Sequence, residues 1–177
     1  MTGVGEYGKA LFLITEEDGA SNKVIADVKT ADNAFKANPD YVKLLDSPAV
    51  PKDERVGLVD KAFSGLDERL SNLIKILTER RMIHLFDKVA AVYYELYDQS
   101  RGILRVEAIT AISLTNQQSE AITKKLSQSL GKTVILKNTV DRSILGGVKL
   151  RYNDVQLDGS VKTRLDKFEE ALKNTVI

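Results

Sequence analysis

Few residues in this chain suit chemistry, and their spacing limits what they can do. Gly131-Lys132-Thr133 has the ending of a phosphate-binding loop. In the full motif a glycine five residues before the second one lets backbone amides curl round the phosphates, and here that position is Leu126. The order of elements is also reversed, because the triplet follows a helical pattern and precedes a strand pattern. Gly131 therefore reads as a helix C-cap, with nucleotide binding through Lys132 and Thr133 kept as the alternative. The single histidine, His84, stands beside Arg80 and Arg81. Nearby positive charge disfavours an imidazolium, so a helix-end or surface role fits it better than that of a general base. Asp154, Asp158 and Asp166 match no calcium-loop spacing, and caps and turns explain the first two. Gly146-Gly147 could bring backbone close to an anion, but as a lone pair after Leu145 it reads first as permitting a bulge or a tight strand entry. There is no cysteine and no GxSxG elbow, so acyl transfer has no support. No cofactor, metal or catalytic residue is expected.

The whole chain sets further bounds. Its 177 residues, 43% hydrophobic and 29% charged, can bury a real core. The 26 basic and 25 acidic side chains nearly cancel, which leaves no global field for nucleic acid or anionic membrane. Tyr93, Tyr94 and Tyr97 could stack on bases, but aromatic residues at helical spacing read first as core or interface. No apolar run reaches the roughly 18 to 20 residues needed to span a bilayer. Residues 1–12 lack a basic then apolar leader pattern, so the chain is expected to stay where it is made.

The elements that must position these residues follow from periodicity. Val4, Tyr7, Leu11 and Ile14 mark one face of a first helix. A second, capped by Ser21 or Asn22, is expected to bury Val24, Val28, Ala31 and Phe35. A short helix from Asp40 to Asp46 presents Tyr41, Leu44 and Leu45. Pro51 is placed as the first residue of a fourth helix carrying Val56, Val59 and Phe63. From Asp67 to about Arg80 the stripe Leu70, Leu73 and Leu77 is widened by Ile74 and Ile76, a face broad enough for contacts on two sides. A sixth helix from about His84 to Ser100 buries Phe86, Val89, Ala90 and Tyr93 and stops at Gly102.

At Gly102 the period changes from helical to alternating. Residues 103–114 read as a strand burying Leu104, Val106, Ala108, Ile112 and Leu114. Thr115 with Gln118 has the form of a capping box before a helix burying Ile122, Leu126 and Leu130. A strand over 134–140, a hairpin turning at Asn153-Asp154, and a closing helix lined by Val161, Leu165, Phe168 and Leu172 complete the chain. The expected fold is mainly α. A six-helix bundle over residues 1–101 precedes a small α/β domain, a sheet with two helices, over 102–177.

Val134, Leu136, Val140, Asp141, Ile144, Gly146, Gly147, Val148, Leu150 and Arg151, followed by Asp158-Gly159-Ser160-Val161 and Arg164-Leu165, form an ordered signature. With Tyr7-Gly8-Lys9-Ala10-Leu11-Phe12 upstream, the chain resembles the delta subunits of bacterial F-type ATP synthases, whose mitochondrial counterpart is the oligomycin-sensitivity-conferring protein. Glu6, Arg80-Arg81 and Asn153 depart from the usual pattern. The resemblance implies a non-catalytic stator subunit that holds the catalytic head so that proton-driven rotation is coupled to ATP synthesis. It implies that the N-terminal domain binds N-terminal segments of the alpha subunits and the C-terminal domain binds the peripheral-stalk b subunits. The setting implied is the cytoplasmic face of the bacterial membrane, with membrane contact only through the complex and no nucleic acid.

On that resemblance Tyr7, Ala10, Leu11, Ile14, Leu73, Ile76 and Leu77 line the alpha-binding groove, each with bundle core as the other reading. Val161, Leu165, Phe168 and Leu172 mix core and b-subunit roles, and Asp141, Gly146, Gly147, Asp158, Gly159 and Ser160 are scaffold. A free-standing adaptor with other partners is the further alternative.

Overall fold

In the computed structural model, residues 3–144, 146–152 and 155–158 are described. The chain separates into two compact units, residues 1–100 and 101–177. The first holds helices α1 (Val4–Glu17), α2 (Ser21–Ala37), α3 (Pro39–Asp46), α4 (Lys52–Ala62), α5 (Glu68–Glu79) and α6 (Phe86–Ser100), with a single 3-10 turn, Ile83–Leu85, before α6.

One apolar core joins these helices. Val24, Val28, Ala31 and Phe35 from α2, Leu70, Leu73, Ile74 and Leu77 from α5, and Phe86, Val89, Ala90 and Tyr93 from α6 are all buried in it. Phe35 lies at its aromatic centre, with ring centroids 5.1 Å from Phe63 and 5.0 Å from Phe86. Each valine, leucine, isoleucine or phenylalanine among them contributes on the order of 1.5–3 kcal/mol by leaving water.

Several local expectations are corrected. On α1 the buried set is Gly8, Leu11, Phe12 and Thr15, while Ile14 is 50% exposed. The face is rotated because Gly8 serves as a contact surface and Thr15 is satisfied internally, its hydroxyl lying 3.0 Å from the Tyr93 hydroxyl and donating to the Phe12 carbonyl. A Cβ on Gly8 would lie 2.4 Å from the Val89 carbonyl oxygen, so α1 and α6 cross with backbone nearly in contact. Neither Ser21 nor Asn22 caps α2; the cap position is Ala20, and the Ser21 hydroxyl instead donates to Glu16. Pro51 is the cap residue of α4 rather than its first turn. In that helix Arg55 is buried along with Val59, whereas Val56 is only half-buried.

Arg55 is 3% exposed and pairs with no carboxylate among the described residues. Its guanidinium donates to the carbonyls of Leu45, 2.8 Å away at the end of α3, and Thr78, 2.7 Å away in the last turn of α5. These carbonyls carry the negative ends of two helix dipoles, which compensate the buried charge. Beyond α5 the Arg81 N–H reaches the Thr78 carbonyl and the Met82 N–H the Leu77 carbonyl, with Arg81 left-handed at φ 55°. This is a helix stop of the kind glycine usually makes. Asp46, at the end of α3, accepts from the N–H groups of Ile83 and His84 and sits 2.5 Å from His84 Nδ1. His84 is thus an exposed residue at a helix start.

The second unit holds β1 (Ile103–Thr110), α7 (Asn116–Leu130), β2 (Thr133–Val140), β3 (Val148–Tyr152) and β4 (Val155–Asp158). The sheet order is β2-β1-β3-β4, with β1 and β2 parallel and the other pairs antiparallel. A parallel pair needs a crossover, and α7 supplies it. Thr115 and Gln118 form a full capping box, and Gly131 ends α7 at φ 63°. Leu104, Val106 and Val134 make the core, surrounded by Leu126, Leu136, Leu150 and Tyr152.

Strand β1 ends at Thr110, so Ile112 is 78% exposed and Leu114 lies in the following loop. Leu130, at the last turn of α7, is 38% exposed rather than buried. Gly147, at φ 87°, leads into β3. The proposed turn at Asn153-Asp154 and the closing helix fall outside the described residues. No helix among the described residues is long and apolar enough to cross a membrane.

Candidate partner-docking seam

The strongest candidate site lies along α1 and α5. On α1, Tyr7, Leu11, Ile14 and Asp18 recur at spacings of four, three and four; on α5 and its ends, Arg69, Leu73, Ile76 and Arg80 do the same. Such spacing puts each set on one edge of its helix. Two polar contacts pin the edges together in opposite directions. Arg80 donates to the Tyr7 hydroxyl at 2.8 Å, with its guanidinium carbon 5.9 Å from the ring centroid. At the other end Arg69 Nε donates to Asp18 at 2.8 Å and holds Asp67 through a second nitrogen. The helices are therefore antiparallel, and the span between the pins is about 16 Å at the helical rise.

Between the pins the edges are apolar. Leu11, Leu73 and Leu77 are 4%, 7% and 0% exposed and belong to the core. Ile14 and Ile76, at 50% and 43%, stand in solvent, as does Ala10, and Tyr7 is half-buried. Two exposed isoleucines on facing edges, closed at each end by a charged pair, form a short apolar seam. Sequence periodicity found the apolar members and missed Arg69 and Arg80. Their signal was present, since both fall on the Leu73–Ile76 edge at helical spacing.

The other singled-out residues play scaffold parts. Asp141 accepts from the Ser143 hydroxyl at 2.7 Å and the Ser143 N–H at 2.9 Å, which hold its carboxyl below the usual range. The Thr139 hydroxyl and the Arg151 guanidinium likewise lower the Glu107 carboxyl on the sheet. Asp158 ends β4 with an ion pair to Lys149 at 3.3 Å. Lys132 is exposed in the α7–β2 turn, and Thr133, exposed too, spends its N–H on the Gly102 carbonyl. Helix, left-handed glycine, strand is the reverse of a phosphate cradle. Gly159, Ser160, Val161, Leu165, Phe168 and Leu172 lie outside the described residues. Among the described residues no group of three or more acidic or histidine side chains could hold a metal ion.

Comparison with known proteins agrees with this architecture. The family model described as ATP synthase delta (OSCP) subunit matches residues 4–172. The chain is similar to ATP synthase subunit delta of Clostridioides difficile, 34% identical over 172 residues, covering 96% of this chain and 95% of that protein. It is 30% identical to ATP synthase subunit delta of Leuconostoc citreum over 168 residues, covering 94% and 93%. In fold it is similar to a chain in the cryo-EM structure of the Toxoplasma gondii mitochondrial ATP synthase hexamer. That likeness has a TM-score of 0.75 at 24% identity and covers 97% of this chain and 98% of the other. Mainly helical, with one small four-stranded sheet and a family match along almost its full length, this chain belongs to the ATP synthase delta (OSCP) subunit family.

Proposed function

We propose that this chain is the non-catalytic peripheral-stalk subunit of an F-type ATP synthase, holding the catalytic head against rotation. Family membership along residues 4–172 carries the reading. The exposed apolar pair on α1 and α5 supports a reading of where a partner docks. In this reading α1–α6 work as one six-helix bundle, and its α1–α5 seam receives an amphipathic N-terminal segment of an alpha subunit. Such a helix lays its apolar stripe into a groove, and Ile14 and Ile76 are the exposed apolar residues available to meet it. The C-terminal part, 102–177, takes the b subunits, with Val161, Leu165, Phe168 and Leu172 as the contact stripe. In this reading the chain sits, through the complex, at the cytoplasmic face of the membrane.

The test uses the full chain and a synthetic peptide of the alpha-subunit N-terminus from the same organism, titrated calorimetrically. Saturable binding is expected for the natural sequence. It is expected to be lost in I14E/I76E, whose melting point should barely change because both positions face water. Absence of saturable binding at high micromolar peptide would sink the seam assignment. Co-purification with alpha and b subunits tests the wider role, and failure to co-purify with either would end it.

A further inference from the structure

At the junction of α3, α4 and α5, two polar atoms stay unsatisfied after the Leu45 and Thr78 carbonyls have taken up Arg55 Nη1. Arg55 Nε and the Thr78 hydroxyl are sealed from solvent, with no hydrogen-bond partner among the described residues. Their residues are 3% and 0% exposed. Both atoms belong to a single contact, because Arg55 Nη1 donates to the Thr78 carbonyl at 2.7 Å. A buried polar atom left this way gives up its hydration for nothing, which is why such atoms are rare in folded proteins. The hydroxyl is unusual in a second respect. A threonine inside a helix can donate to a carbonyl about one turn earlier, as Thr15 does to Phe12 and Thr30 to Ala26. Thr78, in the last turn of α5, leaves that local outlet unused.

From this pairing we infer that Arg55 Nε and Thr78 Oγ1 together bind one buried water, which joins the guanidinium of α4 to the hydroxyl of α5. The water accepts from the Nε–H group and donates to the hydroxyl oxygen, which gives it two polar partners in a closed site. Other occupants fit less well. An anion would stand beside the Leu45 and Thr78 carbonyls, at the negative ends of α3 and α5, and be repelled by them. A side chain from a partner protein is kept out by the burial of both atoms. The water thus ties α4 to α5 by a second route beside the direct bond. This site is independent of what docks on the bundle, so it stands apart from the stator reading.

Two measurements on the full chain test it. In crystals that diffract finely enough to place solvent, a water peak is expected within about 3.2 Å of both atoms. An empty site, a direct bond between the two side chains, or an anomalous peak at the site after a bromide soak would each overturn the water. In solution, Thr78→Val removes the hydroxyl and strands the water and Arg55. It is expected to lower the folding equilibrium constant about five- to hundredfold, read as a lower urea midpoint. An unchanged or higher midpoint would mean that the hydroxyl is truly orphaned, and would overturn the bridge. In an Arg55→Met background the loss from Thr78→Val should shrink, whereas an equal loss there would show that the hydroxyl acts without Arg55. Thr78→Ser keeps the hydroxyl and should cost the same with either residue at position 55. A cost that depends on Arg55 would assign the coupling to the methyl group and overturn the bridge.

Discussion

Substituting Gly8 with alanine measures how closely α1 and α6 cross. An alanine in a helix interior should stabilise, by about 1 kcal/mol over glycine. At position 8 the added Cβ would meet the Val89 carbonyl oxygen at 2.4 Å and the Val92 Cβ at 3.0 Å. The first obstacle is backbone, so relief requires α1 to move off α6, and overpacking of this kind costs about 1–3 kcal/mol. Near the upper end of that range the steric cost exceeds the propensity gain, for a net loss of roughly 1–2 kcal/mol. For a domain of this size each kcal/mol moves the melting point by about 4–8 °C.

Gly57, inside α4, is the control, since nothing lies within 4 Å of a Cβ built there. Gly57→Ala should therefore stabilise by about 0.5–1 kcal/mol. Thermal and urea unfolding followed by far-ultraviolet circular dichroism reads both variants. G8A should lower the midpoint and G57A should raise it. Equal or greater stability in G8A would refute the close crossing. A further expectation follows from position: Tyr7 and Leu11 flank Gly8, so G8A should also weaken peptide binding at the seam.

Arg55→Met should destabilise the N-terminal unit by about 2 kcal/mol or more. Two buried charge-assisted bonds are lost, only partly offset by removal of a desolvated charge; undiminished stability in urea would contradict the part assigned to Arg55. Tyr93 and Tyr41 have phenol pKa values raised above 10.0 chiefly by burial. The unfolded chain therefore ionises first as pH rises, and native stability, complete below the ordinary tyrosine pKa, should fall above it. In Tyr93→Phe this alkaline fall should be shallower, at a cost of about 1 kcal/mol near neutrality for the lost Thr15 bond; an unchanged alkaline limb would contradict it. Arg81→Gly should stabilise by about 1 kcal/mol, because its left-handed φ is free for glycine, and an unchanged urea midpoint would refute strain at the turn.

Legibility in the sequence followed the kind of interaction. Val24, Val28, Ala31 and Phe35 announced the core face of α2 because they are apolar and helically spaced. Thr115 and Gln118 announced a cap because their side chains carry the motif. Gly8 and Thr15 were not read as core, since neither carries an apolar side chain to mark the buried face. One is buried by a backbone approach and the other by a bond to Tyr93, 78 residues away. Arg55 could not be read as buried, because its partners are carbonyl oxygens, which every residue possesses. Ile112 continued an alternating pattern past the end of the strand that produced it. At the seam the apolar residues were visible, but the division between buried Leu73 and exposed Ile76 depends on which neighbours reach over each, a tertiary fact.

The position of β1 in the sheet has a mechanical meaning. Strand β1 follows α6 after only Arg101 and Gly102, and it is an interior strand, parallel to β2 on one side and antiparallel to β3 on the other. Tension passing along the chain from the N-terminal unit enters the second unit through this strand. Pulled along its axis, β1 loads its eight-residue ladder with β2 and its ladder with β3 together, in shear. An edge strand pulled across its ladder would instead release one bond at a time, like a zipper. For a peripheral-stalk subunit, a pull delivered along this strand would have to break many hydrogen bonds at once.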